Sequence, residues 1–141
     1  MKNRKLKKLE VEASIGKLND VIEFINSELK HYNCDPELQN QINIAAEEIF
    51  VNIAYYAYKP EKGNVKISIA AGEELLLRFE DNGRPYNPME HTQPDLSKPL
   101  MEREIGNLGI FLSRKIMDGF HYARVDNKNI LTMTKRISNN S

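Results

Sequence analysis

The sequence predicts an α+β protein, a two-layer sandwich with helices on one face of a mixed, mostly antiparallel sheet, in a single domain spanning residues 1–141. Three observations carry this. The periodicities run strand, helix, helix, hairpin, long loop, helix, hairpin, and so few helices shield only one side of a sheet. The later alternating runs are joined pairwise by short turn segments, as in hairpins rather than crossovers. At 141 residues, with 40% hydrophobic against 28% charged residues, the chain suits one core.

The elements follow in order. Lys5 to Ala13 alternates, with Leu9, Val11 and Ala13 on one parity, which predicts a strand. Ser14 then offers an N-cap, and from Ile15 the residues Leu18, Val21, Ile22, Ile25 and Leu29 keep helical spacing, with Lys17, Asp20, Glu23, Glu28 and Lys30 outside. Asn33 to Pro36 breaks that helix. Asp35 and Pro36 supply an N-cap and first helical position for the next one, which should run until just before Pro60. Lys62, Gly63 and Asn64 turn the chain into Val65, Ile67 and Ile69, and Ala71 with Gly72 turns it back into Leu75, Leu77 and Phe79, so residues 65–81 read as a hairpin. From Tyr86 to Arg103, Pro88, Pro94 and Pro99 exclude a long regular element, and a loop of that length reads as a functional lid. Gly106, Asn107, Leu108 and Gly109 open a helix whose apolar residues Leu108, Phe111, Leu112, Ile116 and Met117 lead to Asp118 and Gly119. Phe120 to Val125 and Ile130 to Ile137 form a second hairpin around Asp126 and Asn127, and a polar tail, Ser138 to Ser141, follows.

The second helix organises the chain. Ile42, Ala45, Ile49, Ile53 and Ala57 recur at three or four residues as a core-facing stripe, and beside it Glu48 and Asn52 lie four apart on one face. Alone, the pair is accounted for by a Glu and an Asn hydrogen-bonded at a helix edge. Asp81 lies two residues beyond Phe79, so strand alternation aims its carboxylate inward, where it needs a donor. Asn82, Gly83, Arg84 and Pro85 then leave the strand in a glycine turn, either a plain turn signal or a place where a flat ligand approaches the backbone. Glycines at a helix start suit phosphate binding, because unpaired N–H groups and the dipole's positive end face the anion.

Charge and cysteine content narrow the function. Twenty basic residues balance twenty acidic ones, for a net charge of +0 and a pI near 6.8, so no global field draws the chain to nucleic acid or an anionic membrane. The basic cluster Lys2, Arg4, Lys5, Lys7 and Lys8 reads as a solvated lead-in to the first strand. The lone Cys34 excludes an intramolecular disulfide and a cysteine-based zinc site, which fits a reducing cytoplasm. No apolar run is long enough for a signal region or membrane span, so a cytoplasmic protein with no direct nucleic-acid or membrane partner is expected.

The motifs EEIFVN on a helix, EDNGRP at a strand end and GNLG opening a helix, in that order, resemble the asparagine box and the two glycine boxes of the GHKL ATPase superfamily, whose ATP-binding domain is the Bergerat fold. The short form with DNGRPYNP and GNLGIFLSRKIMD looks most like the anti-sigma-factor serine protein kinases of the RsbW and SpoIIAB type. The resemblance implies ATP or ADP and Mg2+ as cofactors. It implies Glu48 as the general base toward the γ-phosphate, Asn52 as the Mg2+ ligand, Asp81 as acceptor from the adenine amino group, and Gly83 as the residue against which the ring lies. Gly106, Asn107, Leu108 and Gly109 would close over the triphosphate.

Two departures stand out. A His often found four residues after the metal-binding Asn is Tyr56 here, and the Gly-Thr often found entering the last strand is Lys128 and Asn129. Parity with Leu131 and Met133 turns Asn129 inward, where an amide can stand in. Two functions are implied: an ATP-dependent serine kinase that phosphorylates an anti-sigma antagonist and binds a sigma factor, or a nucleotide-responsive protein-binding module with little or no transfer chemistry. A third reading, an ATP-binding domain serving a separate histidine-bearing protein, lacks a phosphoacceptor helix in this chain. Homodimerisation is a further implication of the family.

Overall fold

Strand β1 (Lys7–Glu12) precedes two helices, α1 (Leu18–Leu29) and α2 (Pro36–Tyr56). The hairpin β2 (Asn64–Ala70) and β3 (Glu74–Asp81), helix α3 (Asn107–Ile116) and the hairpin β4 (Gly119–Val125) and β5 (Lys128–Arg136) complete the order. The computed structural model describes residues 6–32, 34–57, 62–85 and 107–137, without the side chains of 56 and 107–111. The expected lid from Tyr86 to Arg103, the glycine at 106 and the polar tail lie outside the described residues.

The strands form one sheet in the order β1-β2-β3-β5-β4, and each pairing is antiparallel. Its interior face is built in rows. Leu9, Ile67, Phe79, Leu131 and Tyr122 stand side by side across the five strands, and Lys7, Ile69, Leu77, Met133 and Phe120 form the row beside them. Ile67, Ile69, Leu77 and Met133 are fully buried. Helix α1 covers these rows with Val21, Ile25 and Leu29, and α2 with Ile42, Ala45, Ala46, Ile49 and Phe50. Burying a side chain the size of Phe50 is worth roughly 1.5–3 kcal/mol, so this apolar interior fixes how the helices sit on the sheet.

Local chemistry differs from the sequence expectation at the first two helix starts. Ser14 occupies the N-cap position, but its side chain makes no capping bond and the chain passes through a 3-10 turn, Ile15–Lys17, before α1 begins at Leu18. Ile15 is half exposed, and Gly16 favours helix poorly, so helical packing starts only where Leu18 meets the core. Asp35 and Pro36 do begin α2, with Gln39 N–H donating to the Asp35 carbonyl at 2.8 Å, although the Asp35 side chain makes no cap. At the other end of the chain, Asp126 and Asn127 take positive φ of 53° and 64°, the geometry of the tight turn that matches sheet twist. Among the described residues no helix is long and apolar enough to cross a membrane.

Candidate functional site

The apolar rows give way to polar side chains at one end of the sheet. Val11 pairs with Val65, Val65 with Asp81, Asp81 with Asn129 and Asn129 with Arg124, so the row that begins apolar on β1 ends as acid, amide and guanidinium. Inward alternation places Asp81 and Asn129 under cover, 4% and 6% exposed. A carboxylate there must be paired. Asp81 Oδ1 accepts from the Asn129 side-chain amide at 2.9 Å and from the Gly83 N–H at 2.9 Å. Burial raises the Asp81 carboxyl above the usual range; the Asn129 bond, the Gly83 N–H and the nearby Arg124 charge oppose it without reversing it.

The glycine turn after Asp81 is fastened from two sides. Arg84 N–H donates to the Ala57 carbonyl at 2.9 Å, tying the turn to the end of α2. A β-carbon at Gly83 would run into the backbone of Ala57, so this contact alone requires glycine. From β4 and β5, Arg124 Nη1 donates to the Gly83 carbonyl at 2.8 Å and Asn129 Nδ2 to the Arg84 carbonyl at 2.8 Å. The Tyr122 hydroxyl donates to Asn129 Oδ1 at 2.6 Å.

One turn and a half back along α2 from Ala57 stands Asn52, 4% exposed, whose side-chain amide donates to the Glu48 backbone carbonyl at 2.9 Å. The Glu48 carboxyl is half-buried and raised above the usual range, first by burial and then by the adjacent Glu47. Helix α3 packs on α2, with Ser113 Oγ donating to the Ala45 carbonyl at 3.3 Å. Asn107, Leu108 and Gly109 form its first turn, where helix geometry gives the N–H groups no partner within the helix. The glycine at 106, also expected at the site, lies outside the described residues.

The structure thus joins Asp81 and Gly83 at one turn and docks that turn on the end of α2, the helix that carries Glu48 and Asn52. Sequence reading placed Asp81 and Asn129 inward but missed Tyr122 and Arg124. Their signal was available in parity: Phe120, Tyr122 and Arg124 alternate onto the interior face of β4. Which of them reaches the turn depends on register, which the sequence does not print.

Residues 11–135 match the model of the histidine kinase-like ATPase domain, and the chain belongs to that family. The chain is 29% identical over 110 residues to an anti-sigma F factor of Clostridium kluyveri, covering 74% of this chain and 76% of that protein. Its fold resembles the crystal structure of the RsbU and RsbW domains of Rv1364c from Mycobacterium tuberculosis, at TM-score 0.64 and 14% identity, covering 93% of this chain and only 32% of that one. It also resembles the histidine kinase domain of the Erythrobacter litoralis EL346 blue-light activated histidine kinase, at TM-score 0.53 and 18% identity, covering 86% and 60% of the two chains.

Proposed function

We propose that the chain is an ATP-binding anti-sigma regulator that phosphorylates a serine of an anti-sigma antagonist and also binds a sigma factor. The observation that carries the nucleotide part is the buried Asp81, an acceptor fixed at a glycine turn that packs on the helix bearing Glu48 and Asn52. The anti-sigma part is supported by the Clostridium kluyveri relative, which is an anti-sigma F factor.

In this reading Asp81 accepts from an exocyclic amino group of the purine, and the first-turn N–H groups of α3 face the phosphates. Glu48 takes the proton from a serine hydroxyl as that oxygen bonds to the γ-phosphorus and the bond to the β-phosphate oxygen breaks, releasing ADP. Its raised proton affinity, from burial and Glu47, makes it a better base than an exposed carboxylate.

A hard divalent cation fits this setting. Among the described residues no group of three or more His, Cys, Asp or Glu forms a metal cluster, and Mg2+ bound with nucleotide takes few protein ligands beside phosphate oxygens and water. Asn52 is the residue that would hold it, through its side-chain oxygen, an uncharged hard donor of the kind such an ion takes. When bound, the ion supplies neutralisation of phosphate charge.

Thermal melting with and without Mg-ATP tests binding: at about 100 times Kd the ligand should stabilise the fold by roughly 2.7 kcal/mol. No stabilisation at millimolar nucleotide would refute the assignment. A second reading, a nucleotide-responsive binding module without transfer, is favoured by Tyr56 standing where such kinases often carry His. Transfer of γ-phosphate to an antagonist serine separates the two.

A further inference from the structure

Asn129 is spent inside the protein. Its nitrogen donates at 2.9 Å to Asp81 Oδ1 and at 2.8 Å to the Arg84 carbonyl, and its oxygen accepts from the Tyr122 hydroxyl at 2.6 Å. A primary amide has two N–H donors, so both are engaged. The orientation is forced by chemistry. Turned over, the amide oxygen would face a carboxylate and a carbonyl, acceptor against acceptor. Asn129 therefore acts on a ligand through Asp81 rather than by donating to it. Both hydrogen bonds that the described residues give Asp81 end on the same oxygen, Oδ1, from Asn129 and from Gly83 N–H.

We propose that Asn129, with its amide fixed by the Tyr122 hydroxyl, is a positioning residue that holds Asp81 Oδ1 within the protein and presents Oδ2 to the purine, which sets a preference for an amino-purine over an oxo-purine. This rests on reading the pocket as a purine-nucleotide site. The discriminating group is then on β3, but the groups that aim it are on β4 and β5. An exocyclic amino group donates to Oδ2, whereas the oxo group of hypoxanthine faces it as a second acceptor and loses the bond.

The test uses the full chain, ADP and inosine diphosphate, and titration calorimetry. Wild type should bind ADP about ten- to a hundredfold tighter than inosine diphosphate, the worth of one hydrogen bond to a charged acceptor. Tyr122→Phe removes only the hydroxyl and should weaken ADP about three- to tenfold while inosine diphosphate changes little. Asn129→Asp puts a carboxyl against Asp81, so the two share a proton and the base preference collapses at neutral pH. Carboxyl carbon NMR of Asp81 gives a readout without ligand: its titration should move to higher pH in Tyr122→Phe and split in Asn129→Asp. A merely structural role would lower melting temperature without moving base preference or that titration.

Outcomes separate the two ideas. Wild type failing to bind either nucleotide refutes the purine site, and the Asp81 titration still judges the positioning role. Wild type binding both equally, or folded variants keeping wild-type preference and titration, overturns the proposal. If Asn129→Asp does not fold, Tyr122→Phe decides.

Discussion

Asn52 donates its side-chain amide to the backbone carbonyl of Glu48, not to the Glu48 carboxylate, although the two side chains share a helical face. The helix thereby keeps Asn52 oriented without consuming the acid beside it. Glu48→Gln should therefore leave folding and nucleotide affinity within about threefold while lowering phosphotransfer roughly 100-fold or more, the usual worth of a positioned base. Calorimetry and labelled-phosphate transfer on the same preparation check this. Unchanged transfer would remove Glu48 from the chemistry.

Glu47 offers a pH test of the same group. Transfer requires ionised Glu48, so its rate should climb with pH through a limb lying above the usual carboxylate range. Glu47→Gln removes one of the two causes that raise Glu48, and the limb should move to lower pH while the plateau rate stays. A limb that does not move would exclude Glu48 as the titrating base.

Asp81→Asn should trade affinity for stability. Burial makes the folded state hold the Asp81 proton more tightly than the unfolded chain does. Between the unfolded value and the raised folded value, the folded state carries more proton, so stability falls as pH rises, and above the folded value the full penalty remains. An amide oxygen still accepts from Asn129 and Gly83, without that penalty. The variant should thus be at least as stable as wild type near neutral pH, with the difference closing as pH drops below the usual carboxylate range, and should bind ADP about ten- to a hundredfold more weakly. Melting across pH with calorimetry reads both effects; a large loss of stability at neutral pH would contradict this account of Asp81.

Gly83→Ala should destabilise by about 1–3 kcal/mol, the usual cost of overpacking. The cause is space and not backbone angle, since the added carbon meets the Ala57 backbone. Denaturant unfolding measures it, and a neutral result would mean that the turn can lift off α2.

Lys135 is expected to stabilise chiefly as a cap. Its Nζ donates to the Ile116 carbonyl at the end of α3 at 2.6 Å, while its approach to exposed Asp118 is 3.7 Å. Lys135→Met should cost about 1 kcal/mol, and added salt should change that cost little because a solvent-facing ion pair contributes little. A cost abolished by salt would assign the effect to Asp118 instead.

These residues show what the sequence made legible. Period-two alternation was enough to turn Asp81 and Asn129 inward, because a strand buried on one face has only two choices for each side chain. The stripe on α2 was legible for the same kind of reason, with Ile42, Ala45, Ile49 and Ala57 buried and Ile53 partly buried against the core. Capping was less so, since Ser14 and Asp35 sit at helix starts without bonding through their side chains. Tyr122 and Arg124 escaped notice because their contacts depend on the β4–β5 register, which sets Arg124 opposite Asn129, and in the case of Arg124 on a partner, Gly83, far away in sequence. Gly83 drew attention as room for a ligand, yet the protein's own helix already demands a bare α-carbon there.

The docking of the Asp81 turn onto Ala57 makes α2 a ruler. With a rise of about 1.5 Å per residue, the five steps from Asn52 to Ala57 set a spacing of roughly 7.5 Å along the helix axis. One extra residue within that interval would also rotate everything beyond it by about 100°, swinging Ala57 away from the strand end while Asn52 stayed put. Length between these positions is therefore under tighter constraint than identity, and homologues that drift freely in side chains there should not drift in count.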